Sequence, residues 1–169
     1  MFTLFTDHLP ECTVRHKRPV ALVTVELGRK AGVMNSRKSL DGVPSWVPAT
    51  GHALRHAGVH FDAVRIGGFL GEDVAYRLME FTDFQAGPIV REATGEKNLY
   101  FLLPPGSAAA HAWPAPARAL SRSGRGLAFV GIPALHGSTW PLDWRSRPTA
   151  EDPFVEPDLL HNMVIDAVR

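Results

Sequence analysis

In GHALRHAGVHFDAVRIGG, residues 51–68, three histidines recur at four-residue spacing just before a β-like run that carries one aspartate. Pro48 opens a short helix over roughly 49–57, which Gly58 ends, and VHFDAVRI follows as a strand with Gly67 and Gly68 at its exit. Residues four apart share a helix face, so His52 and His56 could hold zinc or another transition metal, with Asp62 adding a carboxylate. His60 falls beyond Gly58 and leaves the helical register. The residues between His52 and His56 are Ala, Leu and Arg, so the general base of a His-Glu-x-x-His hydrolase is missing. The plainer alternative is two surface histidines and a third at the start of a strand.

Upstream, PVALVTVEL (19–27) is rich in β-branched residues and reads as a buried strand. A long connection follows, with Gly, Ser, Asn, Pro and four basic side chains before the helix at 49. Downstream, GEDVAYRLMEFTDF opens with two acids, as suits a helix N-terminus, and spaces Val74, Leu78, Met79 and Phe81 along one face. GPIVRE and LYFLLPPG, joined by ATGEKN, form a hairpin-like pair. Ser107–Gly126 reads as a short helix and a Pro-broken surface loop. GLAFVGIP is a further strand, TWPLDWRSRPT a strand or extended arm, and EPDLLHNMVIDAV a terminal amphipathic helix with Leu159, Leu160, Met163, Val164 and Val168 on about one face. This order predicts an α+β fold, a mixed β-sheet with helices packed on it, in a single domain over 1–169. Residues 1–44 supply a strand and a basic loop; 45–169 supply the core.

The composition supports an ordinary globular chain: 169 residues, 45% hydrophobic and 21% charged, can bury a proper core. A formal net charge of +1 creates no global field that demands an anionic partner. The lone Cys12 excludes an internal disulfide framework and a Cys-rich zinc site. The N-terminus lacks the basic and apolar regions of a signal peptide, and no apolar run reaches membrane-spanning length. A soluble cytoplasmic protein with no membrane partner and no cofactor is expected.

From Asp62 onward, FDAVRIGGFLGEDVAYRLMEF, then GPIV and LYFLLPPGSA, then LAFVGIP, WPLDWRSRPT and PDLLHNMV occur in an order that resembles a known family. The family is the short actinobacterial proteins labelled as bifunctional DNA primase/polymerase N-terminal domain proteins, shrunken relatives of the archaeo-eukaryotic primase-polymerase superfamily. The resemblance covers about 45–169. It implies an acid pair on one strand, a third acid on a later strand, two divalent metals between them, and a histidine that binds the triphosphate. This chain departs from that pattern at all three points. FDAVRIGG carries only Asp62, with Arg65 where a cation would be repelled; NLYFLLPPG has no histidine; GLAFVGIP has no acid. A degenerate, non-catalytic relative is therefore expected.

Such a fold could still bind nucleic acid or a nucleotide through Arg-rich loops. The candidates are Arg15, Lys17 and Arg18, Arg29 and Lys30, Arg37 and Lys38, and Arg145 and Arg147 with Trp144 beside them. Arginine near an aromatic suits phosphate contact with base stacking. Arg118, Arg122 and Arg125, with Trp113 and Trp140, extend that supply. A protein-interaction or regulatory module built on the same degenerate fold is the rival reading, and a metal-dependent enzyme using His52, His56 and Asp62 a third. Nucleic-acid binding predicts steep salt dependence. A module predicts an exposed apolar patch. A metalloenzyme predicts clustered histidines and acid.

Overall fold

The computed structural model describes residues 42–122 and 126–169, which fall within the unit Ser36–Arg169. The strand expected over 19–27 and the basic residues Arg15, Lys17, Arg18, Arg29, Lys30, Arg37 and Lys38 lie outside the described residues. The described strands are β1 (His52–His56), β2 (Asp62–Ile66), β3 (Ile89–Glu92), β4 (Leu99–Leu103), β5 (Arg118–Leu120), β6 (Phe129–Pro133) and β7 (Leu142–Ser146). The helices are α1 (Gly68–Phe81) and α2 (Pro157–Ala167), with a 3-10 turn at Ala108–Ala110.

Five strands form one sheet in the order β5-β2-β4-β3-β7, and β1 pairs with β6 in a separate ribbon. Both β2 and β3 run antiparallel to β4, so they point the same way and α1 joins them across the intervening strand. This is a split β-α-β unit. The α+β class follows directly. Every neighbouring pair described is antiparallel, and β4 enters the gap between the two strands that α1 connects.

Period-2 alternation in β2 and β4 builds a core on each sheet face. Val64, Ile66, Leu99, Phe101 and Leu103 face Val74, Ala75 and Leu78 of α1 and Leu160 and Val164 of α2. Ala63, Leu102 and Val90 face the other way, against Trp46, Phe61 and the ribbon residues Val130 and Ile132. The described residues are thus layered as helices, sheet and ribbon. In α2, Pro157 starts the helix and the Glu156 carboxylate accepts the Leu159 N–H at 2.6 Å, which satisfies one free donor of the first turn. The apolar face expected of this helix is present at Leu160 and Val164, but Val168 is 39% exposed beyond its end. Likewise Phe81 does not join Val74, Leu78 and Met79 in the core; it is 70% exposed. No helix among the described residues is long and apolar enough to cross a membrane.

The helix expected over 49–57 is instead strand β1. Its residues pair in register with β6, His52 opposite Pro133, Leu54 opposite Gly131 and His56 opposite Phe129. The physical reason is competition for backbone partners. A helix of about nine residues is marginal alone, and its free backbone groups are better satisfied by a ladder to β6. Alternate residues then reach the inner face, where Arg55 donates from Nε to the Trp46 carbonyl at 2.8 Å.

Candidate nucleic-acid interface

Extending residues 52–56 removes the basis of the histidine site. A strand rises about 3.3 Å per residue, so His52 and His56 lie about 13 Å apart along the ribbon rather than one turn apart on a helix. His56 instead sets its ring 5.3 Å from that of Phe129, its cross-strand partner. Asp62 is fully buried in β2, where Oδ2 accepts the Ala108 N–H at 3.0 Å and Oδ1 has no partner. Among the described residues, no three His, Cys, Asp or Glu side chains are grouped to hold a metal. The set His52, His56 and Asp62 is therefore corrected. Two of its members are on the ribbon and the third is closed within the helix side of the sheet.

Trp144 and Arg145 are neighbours in β7 and so point to opposite faces. Trp144 enters the ribbon-side core, its indole N–H donating to the Ala134 carbonyl at 3.2 Å and its ring 6.4 Å from Trp46. It is a partly buried packing residue. Arg145 donates from Nε to Glu72 at 3.2 Å on the helix side. Next to it, Arg91 grips Asp143 with two hydrogen bonds, 3.0 and 2.7 Å, and lies 3.9 Å from Glu72. The hydrogen bond to Asp143 raises the Arg91 guanidinium above its ordinary range. This network ties β3, β7 and α1 together and consumes the charge of Arg145. Because the Arg91 and Asp143 side chains are each 42% exposed, the pair is worth at most about 1 kcal/mol. Arg147 is exposed just beyond β7.

A second polar cluster joins α2 to the segment after the 3-10 turn. His111 Nε2 and Asp158 Oδ1 are 2.7 Å apart, and the His111 ring lies 4.8 Å from His161 and 5.6 Å from Trp113. The other nitrogen of His111 is enclosed and has no partner. A nitrogen sealed in this way cannot act as a base toward a solute, so the cluster reads as an anchor for the helix.

The cationic feature that stands out lies on the sheet itself. Arg65 of β2 sits directly opposite Arg118 of β5 and, on its other side, opposite Tyr100 of β4. These three make one transverse row. Arg65 shares its face with Ala63, which packs under the ribbon, so the row lies on the ribbon side of the sheet. Arg118 is exposed, and Arg65 and Tyr100 are half-buried. Like charges directly opposite on neighbouring strands repel. Among the described residues, neither arginine belongs to an ion pair. Beyond β4 the row meets the buried Val90 of β3, and the Tyr100 hydroxyl reaches along β3 to Glu92, whose Oε2 accepts from it at 3.3 Å and from Asn98 Nδ2 at 3.1 Å.

Burial, then the charge and hydrogen bond of Glu92, push the Tyr100 phenol above its usual range, while Arg65 pulls it down. The folded state therefore favours the protonated phenol. That contribution is fully present below the ordinary value of about 10 and is lost as the pH rises through the raised one. The variant Glu92→Gln is expected to bring the ionisation of Tyr100 down but not to the free value, since burial remains. Alkaline titration followed by tyrosinate absorbance checks this, with Tyr76→Phe removing the other tyrosine.

Arg118 was one of several arginines in a loop-rich stretch, and Arg65 stood out only as an obstacle to a catalytic metal. The missing signal was their register, which no local pattern contains. No protein-family model, curated protein or solved structure matches this chain.

Proposed function

We propose that the domain binds nucleic acid or a nucleotide without catalysing polymerisation, on a fold of primase-polymerase-like ancestry. The observation that carries the reading is the opposed pair Arg65 and Arg118, two cations held side by side on a sheet face with no acid between them. An anion with phosphate geometry accepts from both guanidinium groups and removes their repulsion. The binding surface on this reading is the sheet face rather than β7, where Arg145 is neutralised and Trp144 is packed. A non-catalytic role is supported by β2, whose single acid is buried against Ala108, and by β4 and β6, which carry neither acid nor histidine.

The rival reading, a protein-interaction module, is favoured by apolar side chains along and after α1: Phe69 is 88%, Phe81 70% and Phe84 68% exposed. The two readings separate in a titration of labelled single- and double-stranded DNA and RNA at two salt concentrations, with and without a divalent metal. Binding is expected to weaken steeply with salt and not to need metal. Arg118→Ala is expected to lower the slope of log affinity against log salt by about 1. Absence of binding to any of the four polymers overturns the proposal in favour of the module.

A further inference from the structure

Resting on that reading, we infer that the row Arg118–Arg65–Tyr100 is a subsite for one nucleotide of a single strand, phosphate on the two arginines and base on the Tyr100 ring. Spacing supports the unit. Neighbouring strands are about 4.8 Å apart, so the row is about 10 Å from β5 to β4, the reach of one nucleotide from phosphate to base. Polarity supports the orientation. The row is cationic at β5 and β2, and the hydroxyl tip of Tyr100 rests on Glu92, whose charge repels phosphate from the Tyr100 end and leaves that end to the uncharged base.

Tyr100 is held for this task. Its hydroxyl donates to Glu92 at 3.3 Å and the side chain, partly buried, packs against the ribbon-side core, so little side-chain freedom is left to lose on binding. Every base has a π face, so stacking on one tyrosine is tolerant of sequence. A paired base is closed in the duplex stack and cannot use the site without being extruded. The class of ligand is therefore unpaired nucleic acid, bound with little preference among bases.

The test uses the full chain, a fluorescent oligothymidylate, its duplex with oligodeoxyadenylate, and inorganic tripolyphosphate as competitor. Single-strand binding is expected to exceed duplex binding. Tyr100→Leu is expected to weaken it about tenfold or more while tripolyphosphate binds as before. Tyr100→Phe keeps the ring but loses its tether to Glu92 and is expected to bind more weakly than the parent yet well above Tyr100→Leu, and Arg118→Ala is expected to weaken both ligands. A photoreactive oligothymidylate is expected to cross-link the unmodified protein at Tyr100 or its β4 neighbours, which tests the placement even if Tyr100→Leu fails to fold.

If the oligonucleotide binds but Tyr100→Leu binds equally well, the duplex binds as tightly, or the cross-link falls elsewhere, the nucleotide subsite is overturned and nucleic-acid binding stands. If neither the oligonucleotide nor tripolyphosphate binds, both fail.

Discussion

Phe101→Ala is expected to lower the unfolding free energy by about 3–5 kcal/mol, the range for deleting a fully enclosed aromatic ring. Phe101 is completely buried in β4, with Val64 opposite it on β2 and Ile89 opposite it on β3. On the same face lie Val74 and Leu78 of α1 and Leu160 of α2. A sheet neighbour on each side and two helices above give the site no easy way to collapse into the space left by the ring. The loss is thus the transfer energy of the ring plus most of its cavity. Phe69→Ala provides the contrast, since a ring 88% exposed on α1 should change stability by no more than about 0.5 kcal/mol. Urea unfolding of both variants measures the difference. Equal, small losses would mean that Phe101 does not lie between sheet and helices.

Gly87→Ala is expected to cost about 3 kcal/mol or more, from two effects that act at the same atom. Gly87 has φ +76°, a left-handed conformation that costs a side-chain-bearing residue about 1–3 kcal/mol. A Cβ there would also collide with the Phe154 carbonyl oxygen and stand 2.8 Å from the Val155 nitrogen. That neighbouring backbone is not free to yield, because the Val155 N–H donates to the Leu102 carbonyl at 2.8 Å and Phe154 stacks on Trp46. Gly95→Ala separates the two effects. Its φ is +62°, but a Cβ meets nothing within 4 Å, so only the conformational part should remain. Chemical denaturation that gives Gly87→Ala and Gly95→Ala the same loss would refute the close approach of the two segments.

These variants probe parts of the chain that were legible at different depths. Phe101 lies in a run, LYFLL, that reads as one arm of a hairpin-like pair, and it is a strand. The close pass at Gly87 has no local signature, because Phe154 comes from a segment far along the chain. The same division runs through the site. Trp144 and Arg145 looked like a paired recognition element because they are adjacent, yet adjacency in a strand sends side chains to opposite faces. One therefore went into the core and the other to Glu72.

The stretch 51–68 shows the division most clearly. The apolar positions of FDAVRI were enough for β2, because burial on both faces of a central strand leaves its mark on composition, but the helix expected from Gly71 with two acids in its first turn begins at Gly68, with no acid in that turn. The helical periodicities of α1 and α2, the turn between β3 and β4, and hence the α+β class were carried by the sequence in the same local way. HALRH was not, since five residues with both helical and extended character take the state that their partner imposes, and the partner is β6. The row of Arg118, Arg65 and Tyr100 likewise exists only after β5 and β4 have paired with β2. Strand identity is a local property of side-chain pattern; register and face are properties of pairing, and only the folded chain decides them.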